Sequence, residues 1–93
     1  MTDLMIDHDL ETIFICAVRY SIGRQTYMPE LVCRYITSLL PALEDNTLNA
    51  FVRDIKPGLA DPSMLGSEAD QKTWINFLNA VLDELIDRER AKL

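Results

Sequence analysis

Between Leu10 and Ile22 the chain runs without glycine or proline and stays apolar on more than one side. Leu10, Ile13, Phe14 and Ala17 follow the i, i+3, i+4, i+7 spacing of a helix face. A second stripe, Ile15, Val18 and Ile22, runs beside the first, so Ile13–Val18 is apolar all round. A helix apolar on every side is one surrounded by partners. Several of these residues are β-branched, which keeps a buried strand open as an alternative. The stretch is longer than most strands, so it is read as a helix largely buried among the others.

The rest of the chain supplies those others. Asp7 or Asp9 can cap the first helix, with Glu11 in its first turn, and residues 1–8 form an arm whose Leu4, Met5 and Ile6 could reach the core. Gly23 sits where a left-handed glycine ends a helix, with Arg19 in the last turn. A second helix opens at Pro29 and carries Leu31, Val32, Tyr35, Ile36, Leu39 and Leu40 up to Pro41. Asp45, Asn46 or Thr47 can cap a third, with Leu48, Phe51, Val52 and Ile55 on one face and a stop at Lys56-Pro57-Gly58. Residues 57–67 read as an irregular loop, pinned by Leu59, Met64 and Leu65. Ser67 and Asp70 resemble a capping box for a last helix that runs to about Arg90, with Trp74, Phe77, Leu78, Val81, Leu82, Leu85 and Ile86 on its stripe. Residues 1–93 are therefore expected to form a single, compact, all-α four-helix domain.

The run Arg19-Tyr20-Ser21-Ile22-Gly23-Arg24-Gln25-Thr26-Tyr27 resembles the R-Y-x-x-G-R-x-T-Y signature of small uncharacterised proteins of phages, prophages and other mobile elements. Asp45-Asn46-Thr47 and Arg53-Asp54-Ile55 are similar to later parts of such sequences, so the likeness covers about half the chain. It implies a phage-type or prophage-type origin and brings no catalytic or binding residue with it.

Charge and chemistry narrow the function classes. The formal charge of −6 is uneven: residues 1–9 carry three acids and no base, 10–56 five of each, and 57–93 seven acids against four bases. Nucleic-acid affinity comes mostly from Lys and Arg on phosphates, and no basic cluster is visible, although Arg19, Arg24 and Arg34 could form a local patch. The acidic N-terminus lacks the basic start of a signal peptide, and no apolar run reaches bilayer-crossing length. A cytoplasmic protein with no membrane role and two buried thiols, Cys16 and Cys33, is the expectation.

One histidine and two separated cysteines give no metal-ligand spacing, and Gly23, Gly58 and Gly66 lie too far apart for a phosphate loop, so no metal or cofactor is expected. His8 beside acids reads as a solvated residue. Asp83, Glu84 and Asp87 share the last helix, but Glu84 and Arg88 are spaced as an i, i+4 ion pair, and no nucleophile–base pair can be named. The expectation is that the chain is not an enzyme.

Arg19, Tyr20, Arg24, Thr26 and Tyr27 are the candidate binding residues, because arginine and tyrosine are common recognition anchors. The same stretch also has a structural reading: a helix stop held by Arg–carboxylate pairs, with Thr26 capping the second helix and Arg24 bridging to an acid elsewhere. The function expected is a small protein-interaction module that binds another protein, of host or phage. A narrower version sets the acidic end regions in the basic groove of a host nucleic-acid-binding protein. The rival is a helix-turn-helix DNA-binding regulator using helices two and three, with Asn46, Asn49, Arg53 and Lys56 towards a groove, although Pro41–Asn46 is long for that turn. A homodimer through helix one or the last helix is also expected, leaving Arg24–Tyr27 accessible.

Overall fold

The computed structural model describes residues 8–24 and 28–92. Four long helices build the domain: α1 (His8–Ser21), α2 (Pro29–Thr37), α3 (Asp45–Ile55) and α5 (Glu68–Ala91), with a one-turn α4 (Pro57–Ala60) between the last two. No strand occurs among the described residues, as the helical reading of Ile13–Val18 requires. α1 and α5 each pack on both α2 and α3, so the four long helices stand in a ring.

The core lies inside that ring. Trp74, Phe77, Leu78 and Val81 of α5 meet Phe51, Leu48 and Ile55 of α3, Cys33 and Ile36 of α2, and Phe14 and Val18 of α1. Its aromatic centre is tight: the Phe51 and Phe77 rings are 5.5 Å apart, and Trp74 stands edge-on to Phe77 at 6.1 Å.

The expectation of a largely buried first helix is overturned. Phe14 and Val18 are buried, but Ile13 is 60% exposed, Tyr20 53%, and Cys16 is exposed too. The Cα extents, 39 × 32 × 16 Å, give the reason. Packed helix axes lie about 8–10 Å apart and each Cα cylinder adds about 2.3 Å on either side, so a 16 Å short axis holds two layers. With no middle layer, every helix has a solvent side. The second expected stripe shifts for the same reason: α2 buries Pro29, Cys33 and Ile36, and turns Leu31 and Tyr35 outward.

Several boundaries also move. α2 stops at Thr37, ahead of a 3₁₀ turn at Leu40–Ala42 that contains Pro41. The expected loop 57–67 holds α4 and a second 3₁₀ turn, Pro62–Leu65. Pro57 and Pro62 each open a helical turn, the position where a missing N–H costs nothing. Of the three residues thought to pin this segment only Leu65 is buried; Leu59 and Met64 are about half exposed. Gly58 explains how it docks, because the Leu65 side chain occupies the space a Cβ would need there.

The helix ends follow capping rules in part. Gly23 ends α1 at φ +75 and lies so close to the Met64 carbonyl that a Cβ would sit 2.9 Å from its oxygen. Ser67 caps α5 by accepting from the Asp70 backbone N–H at 3.2 Å. α3 is capped differently from the expectation. Its N-cap is Glu44, whose side chain makes no cap bond, and neither Asp45, Asn46 nor Thr47 fills that place. The buried Glu11 of α1 reaches across instead, and its Oε1 accepts from the Glu44 backbone N–H at 2.9 Å and from the Thr47 hydroxyl at 2.6 Å. Residues 1–7, with the possible cap Asp7 and the apolar Leu4, Met5 and Ile6, lie outside the described residues, as does the His8 side chain.

Candidate functional site

An α-helix repeats its faces every three to four residues, so α1 carries Asp9, Ile13, Cys16, Ala17 and Tyr20 on the side away from Phe14 and Val18. Nothing in the ring covers that side. Ile13, Cys16, Ala17 and Tyr20 line a shallow hollow of about 440 Å³ whose floor is the helix itself. The small Cys16 and Ala17 side chains make the depression, and Ile13 and Tyr20 form its shoulders.

α2 extends the same surface. Its Tyr35 stacks edge-on against Phe14, with ring centroids 6.0 Å apart, which joins the outer sides of the two helices. Tyr35 is 59% exposed, Leu31 46% and Met28 61%. Met28 is the N-cap of α2, in the left-handed region at φ 48, uncommon for a residue with a side chain. α1 and α2 thus present Leu10, Ile13, Tyr20, Met28, Leu31 and Tyr35 to solvent, with Met28 and Leu31 also lining, beside Glu30, Arg34 and Asp70, a hollow of about 370 Å³ towards the start of α5.

The candidate residues read from the sequence fall at one end of this face and divide by role. Arg19 is used in packing: its Nε lies 3.4 Å from Asp54 of α3, to which Arg53 also pairs at 3.4 Å. Tyr20 and Arg24 turn outward together, with the Arg24 guanidinium 5.7 Å over the Tyr20 ring. Arg24, just beyond the end of α1, thus lies over a ring of that helix, where the sequence reading expects a bridge to an acid. Thr26 and Tyr27 lie outside the described residues, and so does the proposed capping of α2 by Thr26. Arg34 stands elsewhere, in a groove between α2 and α5 with Thr37 and Asn76.

Ile13, Cys16, Met28, Leu31 and Tyr35 were missed as surface residues. For Ile13 and Cys16 the signal is present as excess, since Ile13–Val18 has more apolar faces than one core can use.

The two thiols differ. Cys33 is buried, and desolvation pushes its pKa from 9.0 up to about 12, whereas Cys16 stands in the open hollow. The carboxylates of α5 separate as the spacing implied: Glu84 pairs with Arg88 at 2.9 Å, while Asp83 and Asp87 face solvent. Arg88 also donates to Asp45 at 2.7 Å and to the Leu40 carbonyl at 2.9 Å. Partial burial works against its charge, and the bonds to Glu84 and Asp45 outweigh this and raise its pKa further. Among the described residues no three of His, Cys, Asp and Glu stand where they could hold a metal ion, and no helix is long and apolar enough to cross a membrane. Two buried polar atoms, Asp70 Oδ2 and Trp74 Nε1, have no hydrogen-bond partner among the described residues.

Taken together, these features define an all-α four-helix domain whose α1 and α2 expose large apolar side chains among the described residues. Comparison with known protein families, with characterised proteins and with solved structures gives no match for the chain.

Proposed function

We propose that this chain is a small non-enzymatic protein-interaction module of phage or prophage type, working in the cytoplasm by docking protein surfaces on its α1–α2 face. One observation carries the reading: six large apolar side chains, from Leu10 to Tyr35, stand exposed on two adjoining helices among the described residues. Contiguous patches of this kind mark interaction sites on soluble domains, and the Tyr20–Arg24 pair at its rim is typical anchor chemistry. The origin is carried by the likeness of Arg19–Tyr27 to mobile-element proteins. The acid excess of residues 57–93, with Asp83 and Asp87 outward on α5, supports the version in which a basic groove of a host nucleic-acid-binding protein is the outside partner.

The helix-turn-helix alternative has less behind it. α2 and α3 are joined through residues 38–44, which include a 3₁₀ turn, and each packs principally on α1 and α5. Affinity capture from source cells with the wild-type chain and with Ile13→Arg tests the proposal. Ile13 is mostly solvent-exposed, so the variant keeps the helical circular dichroism while losing the captured proteins. An identical set of captured proteins for both chains overturns the proposal.

A further inference from the structure

The outward side of α1 has a pattern that pairs with itself. Along it stand Asp9, Ile13, the small pair Cys16 and Ala17, Tyr20, and then Arg24, which its contact with the Tyr20 ring holds on that side. Place a second α1 antiparallel across it, with the twofold axis between Cys16 and Ala17. Asp9 then faces Arg24 of the other copy, Ile13 faces Tyr20, and Cys16 faces Ala17. The charged positions meet their complement, acid with base, and the apolar positions meet apolar ones. A twofold interface requires this self-complementarity.

From these relations we infer that the occupant of the α1 face is a second copy of the chain, docked through antiparallel α1 helices. The inference rests on the reading of the α1–α2 face as an interaction surface. Charge complementarity selects the antiparallel orientation, because a parallel pair would set Asp9 beside Asp9 and Arg24 beside Arg24. The helix dipoles also oppose one another in this arrangement. Ile13 and Tyr20 of each copy pack against their counterparts around the hollow of about 440 Å³ at Cys16 and Ala17. Leu31, Tyr35 and Met28 widen the contact along α2. Side chains of this size and exposure present on the order of 500–600 Å², most of the roughly 800 Å² per partner buried in a stable interface. The dimer leaves α5, diagonal to α1 in the ring, on the outside of both copies with Asp83 and Asp87 exposed.

Sedimentation equilibrium from about 1 to about 100 µM tests this on the full chain. The wild type sediments at twice its 10.6 kDa mass in the upper part of that range. Ile13→Arg gives a folded monomer. Asp9→Arg sets like charges opposite each other at both symmetric positions and weakens the dimer about tenfold, and Asp9→Arg with Arg24→Asp restores it. A short bis-maleimide joins two wild-type chains through Cys16, and Cys16→Ser abolishes the product. A dimer that ignores Ile13→Arg, or is not restored by the charge exchange, overturns the inference. So does a wild-type monomer at every concentration. If that monomer still captures cellular proteins in an Ile13-dependent way, the interaction reading stands without the dimer; if it captures none, both fall.

Discussion

Glu11 is the residue on which two helices depend. It is 3% exposed, yet both bonds at its Oε1 are made to α3, one to the backbone N–H of Glu44 and one to Thr47. Buried donors left without an acceptor cost about 1–3 kcal/mol each. Glu11→Ala is therefore expected to lower the unfolding free energy by about 2–3 kcal/mol, and Glu11→Gln by clearly less, since an amide oxygen can accept both bonds. Urea denaturation of the two variants measures the difference, and equal losses would remove the capping role. Cys33 gives a prediction in pH. Its folded pKa of about 12 lies above the ordinary 9.0, so its contribution to stability is complete below pH 9 and is lost as pH rises towards 12. Stability should fall more steeply above pH 9 in the wild type than in Cys33→Ala. At pH 8, in the Ile13→Arg chain, a maleimide should label the exposed Cys16 quickly and Cys33 only after denaturant is added.

At the scale of elements, the long α5 is held at both ends by different means. Its start rests on Ser67 and on the segment containing α4, which docks by placing Leu65 over Gly58. Leu65 is 1% exposed and has nowhere to go. Gly58→Ala should cost about 1–3 kcal/mol as overpacking, a larger loss than the helix propensity of alanine can offset, and a thermal melt shows the sign directly. The far end is tied by Arg88, which binds Glu84, Asp45 and the Leu40 carbonyl at once. An ion pair on a surface is worth little, but this one joins α5 to Asp45 and to the Leu40 turn through three bonds at once, even though the Leu40 carbonyl keeps the Leu43 N–H when the arginine is cut. Arg88→Ala should destabilise by about 1–3 kcal/mol and speed amide exchange in the last turns of α5, while the exposed Arg90→Ala leaves both nearly unchanged.

For the whole molecule the governing quantities are thickness and charge. Two layers of helices cannot enclose a third, so the excess apolar character of Ile13–Val18 emerges on the surface at Ile13 and Cys16. The net charge of −6 opposes random association through that surface at neutral pH. This protection disappears as carboxylates protonate. Solubility should pass through a minimum near the isoelectric pH of about 4.5, and Ile13→Arg should relieve precipitation there by more than its added charge accounts for. Turbidity against pH for the variant and for Thr12→Arg, an exposed position off the apolar stripe, separates the two effects.

Much of the local structure was legible in the residues. Gly23 as a helix stop, Ser67 as a cap, Pro29 as a helix start, the Glu84–Arg88 pair and the stripe from Trp74 to Val81 all depend on neighbours three or four positions away, which the sequence places without help. What needed the fold was the choice of which apolar face to bury. Leu10 and Ile13, or Leu31 and Tyr35, satisfy helical spacing as well as the residues that went inside, and periodicity cannot rank faces of similar character. Packing ranks them, because α1 meets only the helices beside it in a two-layer ring. The trans cap from Glu11 and the outward Tyr20–Arg24 pair belong to the same class, since each is set by where an element lies against others distant along the chain.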